Sequence, residues 1–218
     1  MRNALFDLKV PELHTVLCLG AHPDDIEIGC GGTLLAMLSA NPSLRVIWVV
    51  LSSEGCRKSE AESSFQAWCH GRTDCELRLF DFPDTLFPWH GIAIKQTIHD
   101  IAEQYSPDVI FTHHRHDAHQ DHRIVAELTW NAFRNHLIFE YEIPKFEGDL
   151  GHPSVFVPLS KDHAVQKVDL LMTHFPSQRD KPWFQADTFW ALMHLRGIEA
   201  KAKAAEAFHA PKVSLSFR

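Results

Sequence analysis

The sequence predicts an α/β fold of Rossmann-like type, a mostly parallel sheet with helices on both faces, followed by a C-terminal α+β segment that completes a pocket. Two observations carry this expectation. Up to residue 136, four short apolar runs each precede a helical pattern, the order that builds a parallel sheet wrapped by helices. The clearest of these runs are apolar at nearly every position, as strands covered on both faces are. With 218 residues and 45% hydrophobic side chains, the chain suits a single domain over residues 1–218.

The elements follow in order. Thr15 to Gly20 reads as a short buried strand, and Gly31 to Leu38 as a helix after an intervening loop. Leu44 to Leu51 is a second strand, Arg57 to His70 a helix, Glu76 to Phe80 a third strand and Gly91 to Tyr105 another helix. Asp108 to Thr112 is a fourth strand, and a helix runs from about His119 to His136. Beyond it, Leu137 to Ile143 and Ser154 to Val157 read as strands, and Lys161 to His174 and Asp187 to Ala207 as helices. Pro144, Gly148, Gly151 and Pro153 mark a loop. This second half is expected to wall a substrate pocket.

Composition narrows the function. A formal charge of −7, from 21 basic and 28 acidic residues without a basic block, gives no surface for nucleic acid or an anionic membrane. Asp7 and Lys9 interrupt the apolar stretch that a signal peptide needs. Val46 to Leu51, the longest strongly apolar run, falls far below the ~20 residues of a membrane span. Five cysteines without C-x-x-C spacing point to free thiols in a reducing compartment, so a cytoplasmic protein is expected. Histidine is abundant at 16, and five of them fall between His113 and His122.

That cluster directs attention to metal chemistry. Catalytic zinc keeps three protein ligands from His, Asp or Glu and leaves a position for water. His22 and Asp25 stand three residues apart just past the first strand, with Pro23 restricting the turn between them. His122 stands three residues from His119 at a predicted helix start, so the two imidazoles share a face. His22, Asp25 and His122 are therefore the candidate ligands of one Zn2+ per chain, a set that also accepts Fe2+ or Mn2+. Asp24 is the candidate general base, a protonated His119 the oxyanion partner, and Asp121 the acceptor that orients an imidazole. Each motif alone has an ordinary explanation, a Pro-Asp turn or a capped helix start; their joint placement after two parallel strands favours a site.

The run Ala21-His-Pro-Asp-Asp-Ile-Glu-Ile-Gly-Cys-Gly-Gly-Thr33, followed by His119-Gln-Asp-His122, resembles the PIG-L/LmbE family of zinc-dependent N-acetylglucosamine deacetylases. The resemblance extends through Ser52 to Gly55, Arg57 to Ala61, Phe80 to Asp84, Ser177-Gln178, Arg196-Gly197 and Ala205 to Phe208. It implies a Rossmann-like fold, the same three metal ligands, Asp24 as base, His119 at the oxyanion and Arg57 as a substrate contact. It also implies an N-acetylated amino sugar as substrate. The chain departs from the family at Ala204, where a tyrosine often stands; Tyr141 is the candidate replacement, with core packing as its plainer role.

Trp89, Trp183, Phe184 and Trp190 are candidates to stack on a sugar, with Arg179 and Lys181 available to an anionic group. Exposed aromatic patches in the second half would suit a homo-oligomer. Two rival readings remain: another metallohydrolase of phosphoesterase or metallo-β-lactamase type, and a non-catalytic sugar-nucleotide-binding protein. The His-x-His-x-Asp-His motif of the β-lactamase type would need His where Asp117 stands.

Overall fold

The computed structural model describes residues 12–214; Asp7 and Lys9, invoked above against a signal peptide, lie outside the described residues. Seven strands form one sheet in the order β3-β2-β1-β4-β5-β7-β6. These are β1 (Thr15–Gly20), β2 (Arg45–Val50), β3 (Glu76–Leu79), β4 (Val109–His113), β5 (Leu137–Tyr141), β6 (Val155–Pro158) and β7 (Ala205–His209). The first five run parallel, and β7 pairs antiparallel with both β5 and β6. The expected α/β architecture is therefore present.

The continuous apolar runs have a simple cause. Val16 and Cys18 of β1 enter one core cluster while Leu17 and Leu19 enter the other. In β2, Val46, Trp48 and Val50 face one side, and Ile47 and Val49 the other. Helices α1 (Asp25–Ala40), α2 (Cys56–Trp68), α5 (Lys161–His174) and α6 (Ala186–Glu199) are associated with the first cluster, and α3 (Gly91–Gln104) and α4 (Gln120–Ala132) with the second. Among the described residues, no helix is long and apolar enough to cross a membrane.

Two expectations need correction. The first helix begins at Asp25, not Gly31. Its glycine-rich first half reads as loop, but neighbours press too closely there for larger side chains. A Cβ on Gly29 would collide with the Tyr141 ring, and one on Gly32 would lie 2.6 Å from Leu159 Cδ1. The last helix ends at Glu199, and residues 205–207, expected to be helical, belong to β7. Pairing with β6 along Ala205 to Ala207, continued by Phe208 and His209 against β5, overrides the helical preference of Ala-Glu-Ala.

Glu206 gives that strand a second anchor. Its carboxylate accepts the backbone N–H groups of Gly32 (2.8 Å) and Thr33 (2.7 Å) in α1. Lys167 of α5 donates to the same carboxylate and to the Ile28 carbonyl, each at 2.6 Å. All of these charged groups are buried, and each has partners. Strand β7 is thereby fastened to the helix that begins at the candidate site.

Gly29→Ala tests how tightly α1 is held. Overpacking against Tyr141 is expected to cost about 1–3 kcal/mol, read as a lower urea midpoint with an unchanged slope.

Candidate metal centre

Strand order reverses between β1 and β4, because the chain moves outward from β1 through β2 and β3 before returning on the other side. Ligand crevices form beyond the carboxyl ends of strands at such a switch point. His22, Asp24 and Asp25 follow β1, while His113 ends β4 and the segment from it to His122 leads into α4. Loop geometry thus brings the two motifs together across about 100 residues of sequence.

His22, Asp25 and His122 each offer a ligand atom within 4.8 Å of the others. Asp25 stands between the imidazoles, with Oδ2 3.5 Å from His22 Nδ1 and Oδ1 3.5 Å from His122 Nε2. Asp25 Oδ2 also accepts the His22 backbone N–H at 2.7 Å and lies 3.2 Å from His113 Nε2. Burial alone would raise the Asp25 pKa, but the facing His122 and His113 outweigh it and hold the carboxyl well below its usual range.

The outer nitrogens of both candidate ligands meet carboxylates. His122 Nδ1 lies 2.9 Å from Asp117 Oδ2, and His22 Nε2 lies 2.9 Å from Asp84 Oδ1 and 3.2 Å from Asp121 Oδ2. Carboxylates on the outer nitrogens favour the tautomer that would present His22 Nδ1 and His122 Nε2 to a cation beside Asp25. Asp121 is itself fixed by the backbone N–H groups of Thr85 (2.7 Å) and Phe87 (3.2 Å). Burial lowers the His22 pKa, but Asp121, Asp25 and Asp84 outweigh it and push the imidazole well upward. So many carboxylates around two imidazoles make a donor set that fits a divalent cation.

Asp24 adopts φ 99° at the entry to α1, a left-handed conformation that Asp tolerates better than most residues. Its Oδ1 accepts from Arg57 Nη2 at 2.9 Å, while its buried Oδ2 has no hydrogen-bond partner. Burial raises the Asp24 pKa to about 6 against the opposing pull of Arg57. Arg57, the expected substrate contact, lines the cavity and is held by protein groups through its two terminal nitrogens. It also donates to the Pro23 carbonyl, to Glu60 Oε2 at 2.8 Å and to Ser177 Oγ at 3.3 Å.

His119 sits at the N-cap of α4 with its Nδ1 buried and unpartnered. Burial and the neighbouring His22 hold its pKa below the usual histidine value. Asp117 stands in the sequence only where a rival motif would need His. In the structure it pairs with His122, Lys145 Nζ lies 3.1 Å from its other oxygen, and that oxygen accepts the His119 backbone N–H at 2.7 Å. Its five-residue separation from His122 was the available sequence signal.

These groups open into a cavity of about 560 Å3, lined in part by Asp24, Arg57, His119, Lys145, Lys181 and Trp183. Its size suits a small-molecule ligand. The other aromatic candidates lie elsewhere: Phe184 is fully buried, Trp89 is 74% exposed on a short 3-10 turn, and Trp190 packs against the first core cluster. Arg179 donates to the Met172 carbonyl. Tyr141 is buried, and its hydroxyl donates to the Leu19 carbonyl at 2.7 Å, which commits it to the core. Ala204 is also buried, and its carbonyl accepts from Leu159.

A family profile described as PIG-L, GlcNAc-PI de-N-acetylase, matches residues 17–133, more than half of the chain and both motifs of the site. The chain belongs to the PIG-L family. Among curated proteins it is similar to the uncharacterized deacetylase YaiS of Escherichia coli strain K12, with 27% identity over 171 residues, 73% of this chain and 89% of that protein. The fold is similar to the N,N'-diacetylchitobiose deacetylase from Pyrococcus horikoshii, with TM-score 0.69 and 19% identity, covering 91% of this chain and 84% of that one. It is also similar to the conserved protein TT1542 from Thermus thermophilus, with TM-score 0.71 and 22% identity over 94% and 98% of the two chains.

Replacing an outer carboxylate should loosen a bound metal without removing a ligand. Asp117→Asn is expected to weaken zinc binding by about 10–100-fold, whereas His122→Ala should not retain zinc through gel filtration. Chelator competition measures the first, and elemental analysis the second; full zinc occupancy in His122→Ala would show that the third ligand is wrong.

Proposed function

We propose that this PIG-L family member is a metal-dependent amide hydrolase that removes the N-acetyl group from an N-acetylated amino sugar or sugar conjugate. The observation that carries the reading is the buried, unpartnered Asp24 Oδ2 beside the His22, Asp25 and His122 set, at the floor of a cavity of small-molecule size. A binding protein needs no such unsatisfied carboxylate. The family match and the deacetylase named among the similar folds support an N-acetyl sugar as the substrate class.

His22, Asp25 and His122 would hold the metal, with zinc the first choice and Fe2+ or Mn2+ acceptable to the same donors. When bound, such a cation polarises the amide carbonyl and acidifies a water molecule. Asp24 takes a proton from the attacking water through Oδ2 and later delivers it to the leaving amine. Arg57, bound to Oδ1, keeps that carboxylate aimed and leaves the second oxygen free for the reaction. His119 donates an N–H to the oxygen that becomes negative as the carbonyl carbon turns tetrahedral. Asp121 and Asp117 fix the orientations of His22 and His122. Trp183 offers an aromatic face to the sugar, and Lys181, whose ammonium lies 5.4 Å from the centre of that ring, stands beside it.

Acetate release from N-acetylhexosamine conjugates tests the mechanism. Asp24→Asn is expected to lower turnover by about 10²–10⁴-fold, with zinc content unchanged, and chelator treatment should abolish a rate that added zinc restores. Equal rates in wild type, Asp24→Asn and stripped protein would overturn the proposal. Trp183→Ala should raise KM more than it lowers kcat, as expected for a residue that binds substrate without touching the reacting amide.

A further inference from the structure

The loop that follows β5 reaches back to the turn that carries two of the site's histidines. Residues 114–119 join β4 to α4, with His119 at the N-cap and His122 in the first turn of the helix. The Asp117 backbone N–H donates to the His114 carbonyl at 3.0 Å. Asp117 then divides its carboxylate: Oδ2 meets His122 Nδ1 at 2.9 Å, and Oδ1 accepts the His119 backbone N–H at 2.7 Å. One side chain thus sets both the ring of a candidate metal ligand and the start of the helix bearing the oxyanion partner.

Lys145 and Asp149 fasten this turn from a different segment. Lys145 Nζ lies 3.1 Å from Asp117 Oδ1, and it donates to both oxygens of Asp149 at 2.6 and 2.8 Å and to the Ile143 carbonyl at 3.3 Å. Asp149 Oδ2 in turn accepts the Ala118 backbone N–H at 2.5 Å. The side chains of Asp117, Lys145 and Asp149 are only 3%, 7% and 14% exposed, so the ammonium is the cation that lets two carboxylates stand together away from water. A buried network whose members all have partners rigidifies the groups in it. Lys145 also lines the cavity, as do its neighbours Ile143, Phe146 and Glu147. Its three N–H donors, however, already face four protein oxygens, which argues against a role in holding substrate.

We propose that Lys145 and Asp149 are positioning residues, which act through Asp117 and its turn to keep His122 aimed at a bound cation and His119 aimed into the cavity. Lys145 fixes one Asp117 oxygen and so leaves the other in line with His122 Nδ1. Asp149 holds the ammonium and the Ala118 N–H together. The proposal rests on the reading of His122 as a metal ligand, and it is independent of which substrate the site takes.

Chelator competition for zinc tests this in the full chain without any substrate. Lys145→Met is expected to weaken zinc binding by roughly 3–10-fold, less than the loss of Asp117 because the effect passes through that carboxylate. Asp149→Ala should shift affinity in the same direction, and it keeps the test decisive if Lys145→Met does not fold. The double variant should lose no more than the weaker-binding single one, since both residues act through one turn. With cobalt(II) in place of zinc, each single variant should displace the visible absorption band, a sign of altered His122 orientation that lost stability alone does not produce. In acetate release from N-acetylhexosamine conjugates, kcat should fall while KM holds. Unchanged zinc affinity and an unchanged cobalt band in the folded variants overturn the proposal. So does a raised KM with zinc affinity and kcat intact, which would make Lys145 a substrate contact. Wild type that binds no zinc overturns the metal-centre reading itself, and this proposal with it.

Discussion

The site depends on the burial of one charged group, the Asp25 carboxylate, at the first turn of α1. An ionised carboxylate leaves water only if positive or hydrogen-bonding partners replace the lost solvation. Asp25 accepts the His22 backbone N–H, and imidazoles after β1, at the end of β4 and in the first turn of α4 stand within 3.5 Å of it. Its position therefore requires β1 and β4 to lie side by side, which the register from Val16–Val109 to Cys18–Phe111 secures. The same constraint explains why carboxylates recur behind the histidines. Asp117, Asp84 and Asp121 direct the ring nitrogens, so the inner lone pairs converge where a cation would sit.

Rigidity reaches this group from the other end of the chain. Glu206 on β7 and Lys167 on α5 grip the middle of α1, and Gly29 lets Tyr141 press against the helix near its start. Tyr141 in turn donates to the Leu19 carbonyl on β1. Strand β1, the loop bearing His22 and helix α1 are therefore held as one unit. Fixed loops matter because a catalytic arrangement tolerates little positional error. The strained φ of Asp24 is consistent with this, since such a conformation persists only where the surroundings overdetermine it.

Much of the sheet was legible because its cause is local. Strands buried on both faces must be apolar at successive positions, and helices with one buried stripe repeat every three to four residues, so their approximate places could be read from residues such as Val46 to Val50. The errors fell where a distant contact decides. The glycine-rich start of α1 reads as loop until Tyr141, Leu159 and Glu206 are seen filling the space beside it. Ala205 to Ala207 reads as helix until β6 is seen paired along it.

The site divides in the same way. By itself, the sequence determined the residue types, the family and the two motifs that end parallel strands, because their chemistry and spacing are properties of short segments. Tertiary structure decided how those residues are used. It made Arg57 a partner of Asp24 at the cavity wall, paired His122 with Asp117, committed Tyr141 to the core and left Trp183 alone of the aromatic stacking candidates beside the cavity. The physical reason is that a side chain's partners, burial and charge state depend on segments far away in sequence, and only folding sets those distances.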